Sequence, residues 1–328
     1  MPEQHALVAA AEPGAHAGPG ESRAGGRKHR WRRVAVFSLA SLLALAGVLV
    51  AAGFLAVNHL ASNVKRIHVA RLDAAAAPAG GSAPMNVLIT GQEGAPGSNG
   101  TPSGLIMILH INAGQKAGGV VSIHPLAMVG VPGHGQTELQ NALVFGGPSL
   151  LVQTVEQLTS VPLQHYARID FPHVANVIDT IGGVDVQTSG GTIHLDGAGA
   201  LAYAGNPALT EEGRVLRQQD LIRAVLAKIA NNHLLTNPTT VFGVLNALTA
   251  MLTVDSNFTN SQLAELAKAL GGLSGSAATF VGAPYNTTGG RVFLVPGTSQ
   301  QLWTAIRQGS LGTFASKYPS AVTPAAVP

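Results

Sequence analysis

Residues 145–171, FGGPSLLVQTVEQLTSVPLQHYARIDF, hold a chain break, a helical stripe and a strand in one short stretch. Gly146-Gly147-Pro148 interrupts the chain and starts a helix, because proline is tolerated in the first turn, where its missing N–H breaks no intrahelical bond. Leu151, Val155 and Leu158 then recur at i, i+4 and i+7, which aligns them on one helical face. Tyr166–Phe171 reads as a strand. A helix feeding a strand in this way points to a layered α/β fold.

The flanking segments extend the pattern. Met85–Thr90 (MNVLIT), Leu105–Ile111 (LIMILHI) and Gly118–Ile123 (GGVVSI) are nearly continuous apolar runs, as expected of strands covered on both faces. A short helix over 174–181, a strand Val184–Thr188, and helices Glu211–Asn231, Thr239–Leu252 and Gln262–Leu270 follow. Arg291–Val295 is a late strand and Gln300–Gln308 a last helix. The pattern predicts a three-layer α-β-α sandwich around a mixed central sheet over residues 85–310, with 311–328 a loose tail.

Toward the N-terminus, Val34–Val57 is a run of 24 uncharged residues. At about 1.5 Å per residue a helix of this length crosses a hydrocarbon core of roughly 30 Å. Arg23, Arg27, Lys28, Arg30, Arg32 and Arg33 precede it, with Trp31 at the expected interface, so the positive-inside rule keeps the N-terminus in the cytoplasm. A cleaved signal peptide is the competing reading, but the apolar run exceeds the usual signal core of about 7–15 residues. The expectation is a single-pass protein of the cell membrane. Residues 1–33 form a disordered basic cytoplasmic tail, 34–57 one transmembrane helix and 58–84 a stalk and linker, with the domain extracytoplasmic.

Composition narrows the function. Apolar residues make up 46% and charged residues 11%, so the wetted surface must rest on Gly, Ser, Thr, Asn and Gln. The net charge of +3 comes from the basic tail, and without its six cations the balance turns acidic. A nucleic-acid-binding domain is therefore a poor reading. Absence of cysteine excludes disulfides, thiolate-bound zinc and thiol catalysis together.

The words LHINA (109–113), VSI (121–123), PGHG (132–135), the 145–171 stretch, VIDTIGGVDV (177–186), LDGAGALAY (195–203), GRVLRQQDLIRAVL (213–226) and TVDSNFT (253–259) carry a resemblance. The chain resembles the LytR-CpsA-Psr family, membrane-anchored enzymes of Gram-positive and actinobacterial envelopes. The resemblance implies transfer of a glycopolymer from a polyprenyl-pyrophosphate carrier to peptidoglycan. It also implies an apolar pocket for the lipid tail, and arginines and a carboxylate-held divalent cation, Mg²⁺ or Mn²⁺, on the pyrophosphate. Phosphoryl transfer needs such charge because its catalysis is mostly positioning and neutralisation.

This chain departs from that pattern at the charged positions. Where the family has Arg-x-Asp-Thr/Ser before the second strand, it has Pro102-Ser103-Gly104-Leu105. Where the family has Ser-Ile-Pro-Arg-Asp, it has Ser122-Ile123-His124-Pro125-Leu126. Leu139-Gln140-Asn141 lacks the family lysine, and the residues after Tyr203 lack two arginines. The Asp ligands of the divalent cation are absent, and no metal ligand is assigned here. Arg214 and Gln218 remain at matching positions, i and i+4 on one helical face. Arg214 is the candidate catalytic residue. Arg214, Gln218 and His124, which follows the third strand, are the candidate ligand-binding set.

The twelve histidines show no metal-ligand spacing, and His110 and His165 match family scaffold positions. Asp170, Asp179 and Asp185 read as turn and strand-end residues, Glu211 and Glu212 as complements to a helix dipole, and Arg217 and Arg223 as solvated charges. The expected protein binds a polyprenyl-(pyro)phosphate-linked glycopolymer at the membrane with weak or no catalysis. Its expected partners are the membrane, the glycan, peptidoglycan and an active family paralogue. An active phosphotransferase is the alternative. A transcriptional regulator is disfavoured by the lack of a helix-turn-helix pattern and by the external location, so no nucleic-acid partner is expected.

Overall fold

The computed structural model describes residues 64–72, 83–92, 102–115, 117–206, 208–231, 238–272 and 278–322. They open with strands β1 (Lys65–Ile67), β2 (Met85–Gln92), β3 (Pro102–Ile111) and β4 (Gly118–Ser122). The hairpin β5 (Met128–Val131) and β6 (Gly135–Glu138) leads to helix α1 (Asn141–Thr159) and strand β7 (His165–Asp170). Helix α2 (Phe171–Thr180), the hairpin β8 (Val184–Thr188) and β9 (Gly191–Leu195), and helices α3 (Gly197–Ala204), α4 (Glu211–Asn231) and α5 (Pro238–Met251) follow. Strand β10 (Leu252–Asp255), helix α6 (Asn260–Gly272), strand β11 (Ala278–Gly282), the hairpin β12 (Tyr285–Thr288) and β13 (Arg291–Leu294), and helices α7 (Pro296–Arg307) and α8 (Leu311–Lys317) complete them.

Seven strands form the central sheet in the order β1-β10-β7-β2-β3-β4-β11. It is mixed: β1 and β10, β2 and β7, and β4 and β11 pair parallel, while the other neighbours are antiparallel. Side chains alternate along each strand. Leu88, Ile108, Val121 and Tyr166 therefore face one layer, packed with Leu151 and Val155 of α1, Trp303 of α7 and Phe314 of α8. Val87, Met107, Ala167 and Val254 face the other, packed with Phe258, Ile222 of α4 and Leu266 of α6. Both faces are covered, which explains why the strands read as continuous apolar runs. A third cluster joins α2, β8, α3, α4 and α5 through Ile178, Val186, Tyr203, Leu221 and Val244.

The break expected at Gly146-Gly147 lies inside α1 rather than before it. Gly147 adopts φ 64° and ψ −160°, and a Cβ on Gly146 would come within 2.6 Å of Leu150. Leu151 and Val155 are fully buried below the break, as their spacing predicts.

Two boundaries are corrected. Residues 64–72 belong to the fold instead of a stalk: β1 pairs with β10, and Val69 and Leu72 enter the core. Residues 311–322 are also not a loose tail, because α8 buries Leu311 and Phe314 and Val322 bridges to Val281. The edge strand is too short, and the helix too short, to leave a periodic signal. The tail at 1–33 and the apolar run at 34–57 lie outside the described residues. Among the described residues, no helix is long and apolar enough to cross a membrane.

Candidate functional site

Between the sheet and α4, α5 and α6 lies an apolar cavity of about 220 Å³. Met107, Ala167, Ile222, Phe258, Leu263 and Leu266 are among its walls, and among the described residues Gln218 is the sole polar one lining it. Gln218 is 5% exposed, and its Oε1 is buried without a hydrogen-bond partner among the described residues. Protein interiors are close-packed, and unfilled apolar volume gives up dispersion contacts along its walls. Such a space does not serve stability. Its chemistry suits an apolar chain with one hydrogen-bonding group.

A second concavity, of about 710 Å³, opens at the C-terminal ends of β4 and β11. Ser122, His124, Gln219, Tyr285, Asn286, Thr287 and Ser320 supply its polar groups, and among the described residues no Asp, Glu, Lys or Arg lines it. His124 is held by its own turn, where Nδ1 accepts from the Leu126 backbone N–H at 3.2 Å. That bond leaves the proton of the neutral ring on Nε2. Its ring stands edge-on to Tyr285, 4.7 Å between centroids. The Gln219 amide donates to Ser122 Oγ and, at 3.5 Å, to the Val281 carbonyl, tying α4 to β4 and β11.

One helix serves both spaces. Gln218 and Gln219 are consecutive on α4, so about 100° of helical rotation aims the first at the cavity and the second at the cleft. Arg214, one turn earlier, is partly buried, and its backbone N–H bonds to the Thr210 carbonyl at 3.0 Å. It lines neither space. The candidates are thus distributed, with His124 in the cleft, Gln218 in the cavity and Arg214 at the start of the helix that divides them.

Arg217 and Arg223, expected to be solvated, are instead built into the fold. The Arg217 guanidinium lies 4.7 Å over the Tyr203 ring, and Arg223 lies 5.1 Å over Phe280 and 3.5 Å from Asp220 Oδ1. The Tyr203 hydroxyl donates to Asp220 Oδ2 at 3.0 Å. Burial pushes the Asp220 carboxyl above its ordinary value, against the Tyr203 hydrogen bond and the Arg223 charge. Burial and the Asp220 charge hold the Tyr203 phenol well above its usual range. The cluster fixes α4 against α3. Sequence reading missed Asp220, whose i, i+3 spacing to Arg223 was the available signal.

The remaining candidates have structural partners. His110 Nδ1 lies 2.6 Å from Asn86 Oδ1, and His165 Nδ1 lies 3.2 Å from Asp255 Oδ2 with its ring stacked on Phe258. Asp179 Oδ1 accepts from the first N–H of α3 at 2.7 Å, and Asp185 pairs with His194 at 2.7 Å. Among the described residues, no group of three His, Asp or Glu could hold a metal ion. Pro102, Gly104 and Leu126, at the positions that would matter, carry no side-chain donor. The residues present do not fit a divalent cation.

Residues 56–301 match the profile of the LytR_cpsA_psr family. A probable cell wall biosynthesis protein LcpB from Corynebacterium glutamicum is 33% identical over 183 residues, 51% of this chain and 44% of that protein. A polyisoprenyl-teichoic acid–peptidoglycan teichoic acid transferase TagU from Bacillus mycoides is 28% identical over 203 residues, 57% of this chain and 64% of that protein. The matched stretch thus spans between 44% and 64% of the length of these relatives. Among solved structures, a LytR-Csp2A-Psr enzyme from Actinomyces oris superposes with a TM-score of 0.61 at 18% identity, over 74% of this chain and 95% of that one. TagV of B. subtilis superposes with a TM-score of 0.56 at 18% identity, over 70% and 98%. Those structures share its fold, an α/β architecture with a mixed central sheet, and the profile covers most of the sequence. The chain belongs to the LytR-CpsA-Psr family.

Proposed function

We propose that this protein is a membrane-anchored cell-envelope protein that binds a polyprenyl-(pyro)phosphate-linked glycopolymer and has weak or no transferase activity. The observation that carries the reading is the apolar cavity in which, among the described residues, Gln218 is the one polar wall residue and the cleft across α4 has no charged lining. In this reading the prenyl tail occupies the cavity. Gln218 meets the first polar atoms of the head, and the neutral cleft around His124 and Gln219 takes sugar hydroxyls. The run at 34–57 anchors the chain, with the domain on the outer side, where such carriers and peptidoglycan lie. Handing the ligand to an active paralogue is the matching biological role.

Weak catalysis follows from charge. Removing one preorganised electrostatic contact commonly costs about 10²–10³ in rate, and here the family's aspartates and most of its arginines are replaced by neutral residues. The relatives named as teichoic acid transferases favour a second reading, an active phosphotransferase that relies on Arg214. A transfer assay with polyprenyl-pyrophosphate glycopolymer, peptidoglycan and Mg²⁺ or Mn²⁺ separates the two. The expected result is retention of the lipid-linked ligand without turnover. Turnover that Arg214→Ala abolishes would establish the second.

A further inference from the structure

Strand directions define two ends of the central sheet. β7 is parallel to β2, and β2 and β4 are both antiparallel to β3, so β4 and β7 finish at the same end. β10 is antiparallel to β7 and β1 is parallel to β10, so β1 begins there. Lys65 lies in register with Thr253, Arg168 and Thr90, two residues from this end of β2 and five from the other. The chain therefore enters the fold near the end where the cleft opens. Lys65 follows Val57, the last residue of the apolar run, by eight residues, at most about 29 Å of extended chain.

The same end carries most of the exposed apolar side chains. The Leu139 and Gln140 N–H groups donate to the Ala127 and Pro125 carbonyls, just beyond β4, which fixes the start of α1 there. Ala142 is fully buried, while Val144 and Phe145 stand 68% and 47% exposed ahead of the break at Gly146-Gly147. The Phe145 ring is stacked on His134 in the turn of the β5–β6 hairpin, 4.4 Å between centroids, which holds it away from the core. Phe293, 41% exposed, follows Val292, which bridges to Ala127. Among the described residues these are three of the four large apolar side chains that are exposed, and the fourth, Ile193, is on the β8–β9 hairpin. Single exposed apolar residues are ordinary on a protein surface, whereas their concentration at one end marks an interaction face. Aromatic rings suit a lipid headgroup boundary, where one side is wet and the other apolar.

We propose that this end of the sheet rests on the outer lipid leaflet, with Val144, Phe145 and Phe293 inserted at the boundary between headgroups and acyl chains. The proposal rests on the reading that the run at 34–57 anchors the chain, and adds an orientation to it. The short tether holds the end it enters toward the membrane, and the apolar side chains give that end a reason to stay there. The cleft then opens onto the headgroup layer, where a lipid-carried glycan presents its first sugars.

The chain has no cysteine, so single cysteines report position directly. Full-length Phe145→Cys and Phe293→Cys are each labelled with nitrobenzoxadiazole and placed in nanodiscs of phosphatidylcholine and phosphatidylglycerol. Ala113→Cys is the control, since Ala113 is exposed and follows β3 at the opposite end of the sheet. Quenching by doxyl-labelled lipid should be severalfold greater at positions 145 and 293 than at 113, with blue-shifted emission. Two positions on separate elements keep the result independent of the lost His134 stack. Equal, weak quenching at all three positions with the protein retained in the nanodiscs overturns the docking and leaves the anchor standing. Release of the protein from the nanodiscs overturns the anchor and the docking with it. Blue-shifted emission at 145 and 293 that grows with protein concentration and ignores the lipid quencher assigns the face to a second copy of the chain, which also overturns the proposal.

Discussion

Gln218 shows how one residue can trade stability for recognition. Among the described residues its Oε1 is buried without a partner, in a wall that is otherwise apolar. An unsatisfied buried polar group costs about 1–3 kcal/mol, whereas an apolar group of similar size costs little there. Gln218→Leu should therefore stabilise the ligand-free protein by about 1 kcal/mol in urea unfolding, and weaken retention of a polyprenyl phosphate. Destabilisation on removing this amide would show that it has a partner in the free protein. The residue was legible beforehand only through its i+4 relation to Arg214 within a family word. Gln219, Tyr285 and Asn286 were not legible, because α4, β4 and β12 meet only in the tertiary fold.

At the scale of elements, the break inside α1 is the most sequence-determined feature. Gly147 at φ 64° and ψ −160° occupies a region essentially reserved for glycine, where another residue costs about 1–3 kcal/mol. The break lets the preceding turn diverge, leaving Val144 and Phe145 exposed with the Phe145 ring stacked on His134 at 4.4 Å. Gly147→Ala should lower stability by about 2 kcal/mol in thermal or urea melts, with near-wild-type stability marking a helix free to straighten. The long apolar strands and the helices α1, α4, α5 and α6 could be read from sequence because each buries a periodic face. Strands β8 and β13 could also be read, but the short β1, the β5–β6 hairpin, the partner strands β9 and β12, and α8 could not. Three to seven residues carry too few apolar positions to define a period, and their structure is imposed by partners far away in the chain, as Val322 is by Val281.

At the scale of the whole molecule, the two concavities lie on either side of one helix, and the cavity can be closed without touching the cleft. Ala167 projects from β7 into the cavity and does not line the cleft. Ala167→Leu adds apolar volume where empty space is costly, so the free protein should melt at an equal or higher temperature. Ligand binding to the native state adds stability of RT ln(1 + [L]/Kd), about 2.7 kcal/mol at a hundredfold excess over Kd. For a domain of this size, 1 kcal/mol moves the melting point by about 2–4 °C, so wild type should gain roughly 5–10 °C from saturating polyprenyl phosphate. Ala167→Leu should lose most of that gain while an oligosaccharide without a lipid protects it as it protects wild type. Equal lipid-dependent shifts in the two proteins would place the prenyl chain elsewhere. Loss of both shifts would mean that the cavity and the cleft act as one site, with α4 transmitting the strain between Gln218 and Gln219.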